Sequence, residues 1–458
     1  MEWTHALSLG FGVALTPINL LCVLLGCLLG TLSAALPGIG PVAILAMLLP
    51  AAYVLPPVSA LILLAGLYYG SQQGTPYAGS AANAWGCLFA AGVGTLLVLL
   101  LAPLLSRLAL VLGPTESVAL MVLGLMASGL LANGPLLKAL AMGLLGLLLG
   151  LVGTDSGVVR FTLGMPELSE GIGMVALALG MFGYGQIITN LAQPLPEREV
   201  LAARARGLWP SRQDFQHLTP AILRGTALGS LLGLSPRPLP EALPGPTSEA
   251  LPQAGVATGA AAQNAAARTS LIPLLALGIP SNAAMALLFG AMTLGHLQPG
   301  PELLSDHPEW FWGLLASMGL ANLLLLVLNL SFNLLPQRSL LGRWTRLRRL
   351  PYRWLFPALV LCCALGAYAN HHSIFDIWLV AAFGFFAYVF HQLGMEPAPL
   401  LLGFVLGPAM EANLRGALQL SGGDWSVFVA RPLSAALLAT ALCLTVLLPV
   451  IRARRAQA

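Results

Sequence analysis

Two short Gly-x-Pro stretches hold the residues best suited to chemistry in this chain. The first is Gly74-Thr75-Pro76, followed by a small, polar run that includes Ser80 and Asn83. The second is Gly278-Ile279-Pro280, followed by Ser281 and Asn282. Pro removes a backbone donor and Gly weakens a helix, so each stretch is expected to interrupt one. The alternative is a packing kink. A third interruption is expected at Pro37-Gly38-Ile39-Gly40-Pro41. A helix restarted after a break presents unpaired N–H groups and the positive end of its dipole, which suits an anion such as a carboxylate. Hydroxyl and amide groups from Thr75, Ser80, Asn83, Asn264, Ser281 and Asn282 would add to it. Unwound carbonyls at the same breaks suit a coupling Na⁺.

These breaks lie in strongly apolar sequence. Charged residues are 8% of 458 and apolar residues 57%. Mean hydropathy is +0.84. A soluble domain carries about 25% charge. Uncharged runs recur at 18–36, 86–105, 140–152, 171–191, 310–335, 355–369 and 433–451. About 20 apolar residues cross a bilayer, so the chain is expected to be all-α and polytopic, with roughly 10–12 spanning or re-entrant segments. The alternation of a membrane β-barrel is absent. In lipid, broken backbone is tolerated only where it is buried in protein or lines a polar cavity. Matching breaks in two halves of a membrane chain therefore point to a transporter's binding site. The expected organisation is an N-terminal transmembrane half at 1–193, a polar surface linker at 194–220 and a C-terminal half at 221–458, with the two halves related as repeats.

Other charged and polar groups have two readings each. Arg268, ten residues ahead of Gly278, either binds a substrate carboxylate or sits at the interface against lipid phosphate. Asp155 and Asp376 serve ion coupling or cap helices. Glu411 and Arg415 have the i, i+4 spacing of a helical ion pair. His371-His372 has no acidic or Cys neighbour to complete a metal site. The six cysteines lie in apolar spans without metal-ligand spacing and read as small core residues. Net charge is +4 and Arg dominates it, with Lys138 the one lysine. The Arg cluster between 338 and 353 sets topology rather than binding nucleic acid, and places that loop and the C-terminus in the cytoplasm. Zinc-protease, nucleophile-elbow and phosphate-loop motifs are absent, so an enzyme is not expected.

In order along the chain stand Leu36-Pro37-Gly38-Ile39-Gly40-Pro41, Arg160-Phe161-Thr162-Leu163-Gly164, Leu271-Ile272-Pro273-Leu274, Leu277-Gly278-Ile279-Pro280 and Leu297-Gln298-Pro299-Gly300-Pro301. Gly403-Phe404-Val405-Leu406-Gly407-Pro408, Glu411-Ala412-Asn413-Leu414-Arg415, Gly423-Asp424-Trp425 and Arg431-Pro432 follow. This ordered set resembles the TctA-type large permease subunits of tripartite tricarboxylate transporters. The resemblance implies uptake of a small carboxylate across the bacterial inner membrane, driven by a Na⁺ or H⁺ gradient and without a cofactor. It also implies two partners: a small TctB-type membrane subunit and a periplasmic TctC-type solute-binding protein. The chain departs from the family pattern in several places. It is shortened after the first Gly-x-Pro, carries Ala260 and Gln263 beside Asn264, reads Leu234-Ser235-Pro236 at the start of the second half, and has Gln186 in place of a carboxylate. These departures leave open a non-transporting scaffold or receptor of the same fold.

Overall fold

The computed structural model describes residues 3–35, 39–72, 81–131, 135–155, 158–159, 162, 164–192, 212–234, 252–334 and 352–457. Its helices in the N-terminal part are α1 (Trp3–Ala14), α2 (Pro17–Ala35), α3 (Pro41–Leu48), α4 (Ala51–Val54), α5 (Pro57–Ser71), α6 (Ala81–Ala109), α7 (Pro114–Leu131) and α8 (Leu136–Gly150). Then come α9 (Met174–Ala178), a π-helical stretch at Leu179–Tyr184, and α10 (Gly185–Ala192). After these are α11 (Arg212–Gly233), α12 (Pro252–Thr269), α13 (Leu271–Leu277), α14 (Ala283–Leu294), α15 (Glu302–Asp306) and α16 (Pro308–Leu334). The last are α17 (Tyr352–His371), α18 (Ile374–Gln392), α19 (Ala398–Leu420), α20 (Val427–Ala430) and α21 (Pro432–Gln457). The described residues are all-helical in their regular structure apart from a small hairpin, β1 (Thr154–Asp155) against β2 (Val158–Val159). Asp155 therefore lies in a strand, paired with Val158, and not at the start of a described helix.

Among the described residues, five helical stretches are long and apolar enough to cross a membrane: 17–34, 83–109, 174–192, 308–331 and 374–392. Shorter apolar helices of 10–17 residues lie at 57–71, 136–150, 283–294, 356–369 and 432–445. The chain has the make-up of a multi-pass membrane protein. The outer face of α6 shows why: Leu96, Leu100, Leu104 and Leu108 recur every four residues and all are exposed. A stripe of exposed leucine on one helix face is suited to lipid tails.

Helix packing depends on small residues, which let backbones approach closely. On α2 and α5, Gly26 and Gly30 meet Gly66 and Gly70; a Cβ on Gly70 would stand 2.6 Å from the Cys27 carbonyl oxygen. On α11, Gly225, Gly229 and Gly233 press on the backbone of Thr258, Ala262 and Ala266 in α12. On α8, Gly146 and Gly150 press on Leu400 and Phe404 of α19. Cys22, Cys27, Cys87 and Cys363 are buried as expected, but Cys362 and Cys443 are exposed, turned outward by the faces they occupy.

Candidate functional site

The second break forms as its residue types dictate. Helix α13 ends at Leu277 and α14 starts at Ala283, leaving 278–282 outside helix. Gly278 has φ 67°, a left-handed conformation that L side chains rarely adopt. It also lies against the turn at Pro299-Gly300, so a Cβ there would stand 2.5 Å from the Pro299 carbonyl oxygen. The N–H groups of Gly278 and Ile279 are satisfied by the carbonyls of Leu274 and Pro273, at 3.1 and 3.2 Å. Pro280 needs no such partner. Asn282 then starts α14, its side chain accepting from the Met285 N–H at 3.0 Å. The Ser281 hydroxyl donates to the Ser270 carbonyl at 3.3 Å, joining the break to the end of α12. The Tyr68 side chain of α5 lies beside Ser270 and Asn282.

Arg268, in the last turn of α12, is fully buried. Its interface reading is corrected by the structure. Gly94 of α6 lets the Arg268 stem pack inside the bundle, with a hypothetical Gly94 Cβ only 2.9 Å from Arg268 Cβ. The guanidinium stacks 4.4 Å from the Tyr69 ring centroid, a cation–π contact. Its Nε and Nη2 both donate to Asn322 Oδ1, at 3.2 and 2.8 Å. Nη1 faces the Asn264 carbonyl and Oδ1 at 3.4 and 3.3 Å. Among the described residues no carboxylate forms an ion pair with it. A buried cation is costly unless hydrogen-bonded, and here neutral amides do the bonding.

Gly278, Pro280, Ser281 and Asn282 form one segment, which Ser281 bonds to Ser270, two residues after the Arg268 that Asn264 faces. Gly40 is the N-terminal cap residue of α3, ahead of Pro41, and α3 packs against α14. Asn83 is on α6, which packs against α12 and α13. Pro37, Gly38, Gly74, Thr75, Pro76 and Ser80 lie outside the described residues. Of the other charged candidates, Asp376 sits in the first turn of α18, whose cap is Ser373 instead. Glu411 and Arg415 pair at 2.7 Å on α19. Gln186 donates to Asn190 Oδ1 at 3.2 Å, beside the π-helical stretch.

Sequence reasoning did not single out Tyr68, Tyr69, Thr95 or Asn322. A signal existed for Asn322: an amide in a long apolar span is a default suspect for interhelical bonding. Nothing in the sequence aimed it at Arg268, which is 54 residues away.

Residues 20–78 and 71–402 match the Tripartite tricarboxylate transporter TctA family. The chain belongs to that family. It is a transport protein, the membrane component of a tripartite tricarboxylate transporter, and not an enzyme. The chain is 43% identical over 507 aligned residues to an uncharacterised 52.8 kDa protein in the TAR-I ttuC' 3' region of Agrobacterium vitis, covering 99% of this chain and 98% of that protein. It is 46% identical over 205 residues to an uncharacterised protein in the TAR-II ttuC' 3' region of the same organism, covering 44% of this chain and 81% of the relative. No solved structure matches. The two stretches matched to the TctA family meet at 71–78, on the first Gly-x-Pro, where the chain is expected to be shortened.

Proposed function

We propose that this TctA-family subunit imports a small, tricarboxylate-like anion by secondary active transport, with the break at 278–282 as part of the transport site. The observation that carries this reading is the fully buried Arg268, bonded to amides and linked through the Ser270 segment to the break. An anion carrier has a use for such a charge; a purely apolar bundle has none. Family membership supports a small TctB-type membrane subunit and a periplasmic TctC-type binding protein as partners. Residence in the bacterial inner membrane belongs to the same reading, with 10–12 spanning or re-entrant segments and a cytoplasmic C-terminus. So does a division into halves at 1–193 and 221–458. Its support is that glycine-lined helix pairs precede both breaks, α2 with α5 and α11 with α12. Movement of one half against the other would expose the site alternately.

The test is uptake of labelled di- and tricarboxylates into proteoliposomes holding this chain, its small subunit and its binding protein. Imposed Na⁺ and proton gradients are varied separately. Saturable, gradient-dependent uptake that Ser281→Ala reduces without loss of folded protein is the expected result. No uptake of any carboxylate by a folded, assembled complex would favour the scaffold reading.

A further inference from the structure

We propose that Arg268 is the fixed counter-charge for one carboxylate group of the transported anion, and that Asn264 and Asn322 hold it in reserve by keeping protein carboxylates off it. This rests on the transport reading above and deepens it.

A buried guanidinium is ordinarily matched by a carboxylate. Here the described partners are amide oxygens, which give hydrogen-bond geometry without cancelling charge. Both amides are held in orientation. Asn322 Nδ2 donates to Thr95 Oγ1 at 2.9 Å, and Thr95 Oγ1 donates to the Ala91 carbonyl at 2.8 Å. Asn264 Nδ2 donates to the Ala260 carbonyl at 2.9 Å. Each amide oxygen is thereby aimed at the cation, the assignment following from the bonds its nitrogen makes.

The donors are not all used. Guanidinium has five N–H groups. Nη2 makes one bond, to Asn322, so its second N–H has no acceptor among the described residues. The bonds from Nη1 are the long ones, at 3.3 and 3.4 Å. The Tyr69 hydroxyl, on the ring stacked against the guanidinium, is buried and has no hydrogen-bond partner among the described residues. An entering carboxylate could take the Nη1–Nη2 edge as a two-pronged partner in place of the weak Asn264 contacts. It would neutralise the charge and offer an acceptor within the same buried cluster as Tyr69. Because Arg268 is fully buried here, carboxylate access to it requires opening.

The competing role is a tie between α12, α16 and α5. Asn322→Asp separates the two. It keeps side-chain shape and the acceptor on Nε and Nη2, gives up the Nδ2 bond to Thr95, and adds an internal carboxylate. A tie would be strengthened and uptake left unchanged. A reserved charge would be occupied, so uptake should fall about tenfold or more while the melting temperature holds or rises. Folded Asn322→Asp protein with wild-type uptake overturns the proposal. Should Asn322→Asp not fold, Arg268→Lys decides. It keeps the charge and loses the planar fork, so KM for carboxylate should rise with kcat and melting temperature little changed; an unchanged KM overturns the proposal.

A second readout separates this idea from the transport reading. Citrate and succinate are added to the purified chain and the melting temperature is followed. If wild-type shows no uptake but is stabilised by a carboxylate, and Asn322→Asp abolishes that stabilisation, the charge assignment stands although transport fails. Stabilisation that persists in Asn322→Asp, or no stabilisation of wild-type at all, overturns it.

Discussion

Asn282 Oδ1 accepts the backbone N–H of Met285 at 3.0 Å, so this side chain is committed to starting helix α14. The amide that the sequence offers as an anion ligand also organises the break, through its oxygen. Replacing it with Ala removes an N-cap and should cost about 0.5–2 kcal/mol of stability. Asn282→Ser should restore most of that loss. Thermal unfolding in detergent measures both, and equal melting temperatures for wild-type and Asn282→Ala would refute the capping role.

Gly278 is held in the left-handed region with its Cα facing the Pro299 carbonyl. Gly278→Ala should therefore lose about 1–3 kcal/mol from backbone strain, with a further penalty from the close contact. The loss should appear as a lower melting temperature and less monodisperse protein on size-exclusion chromatography. Ala substitution at Gly92 of α6 is the control: it meets nothing within 4 Å and should be tolerated.

Glu116, in the first turn of α7, pairs with Arg431 at 3.1 Å, just before α21. The carboxylate is largely buried while the guanidinium is half-exposed. The pair itself should contribute about 1 kcal/mol or less, because solvent screens the exposed partner. Arg431→Ala should cost more, about 1–3 kcal/mol, since it strands the Glu116 carboxylate. A double-mutant cycle with Glu116→Gln separates the two effects; a larger loss from Glu116→Gln than from Arg431→Ala would contradict this account.

The exposed turn before α20 contains a carboxyl group with a shifted titration. Asp424 accepts from the Ser426 hydroxyl at 2.6 Å and from the Ser426 N–H at 2.8 Å. Those two bonds favour the charged form and hold Asp424 below its ordinary value of 3.8. The sign follows from linkage: the stabilisation is present above the ordinary carboxyl range and is lost as pH falls through the lowered value. Ser426→Ala should move Asp424 back up towards its ordinary value, because the side-chain bond is the larger cause. Carboxyl carbon NMR titration of labelled protein reads this directly, and an unmoved titration would show that the backbone bond suffices.

Much of the architecture was legible because membrane segments and helix breaks are written locally. The apolar runs at 18–36, 86–105, 310–335 and 355–369 became α2, α6, α16 and α17, since lipid leaves backbone groups no partner outside a helix. Gly278 and Pro280 ended one helix and delayed the next for reasons inside their own covalent structure. The i, i+4 pair of Glu411 and Arg415 needed only the geometry of one helix. The hairpin at Asp155 was missed because two-residue strands have no periodicity to detect.

The sequence by itself determined that this is a helical membrane protein of the TctA type with a break at 278–280. Only the tertiary structure decided what Arg268 faces, that Asn322 and Tyr69 share its surroundings, and that the Asn282 oxygen caps α14. The physical reason is one of range. Hydropathy and helix-breaking act through a residue and its immediate neighbours. The orientation of a buried cation is set by which helices lie against it, and a single-residue glycine contact such as Gly94 against Arg268 decides that across more than 170 residues of chain.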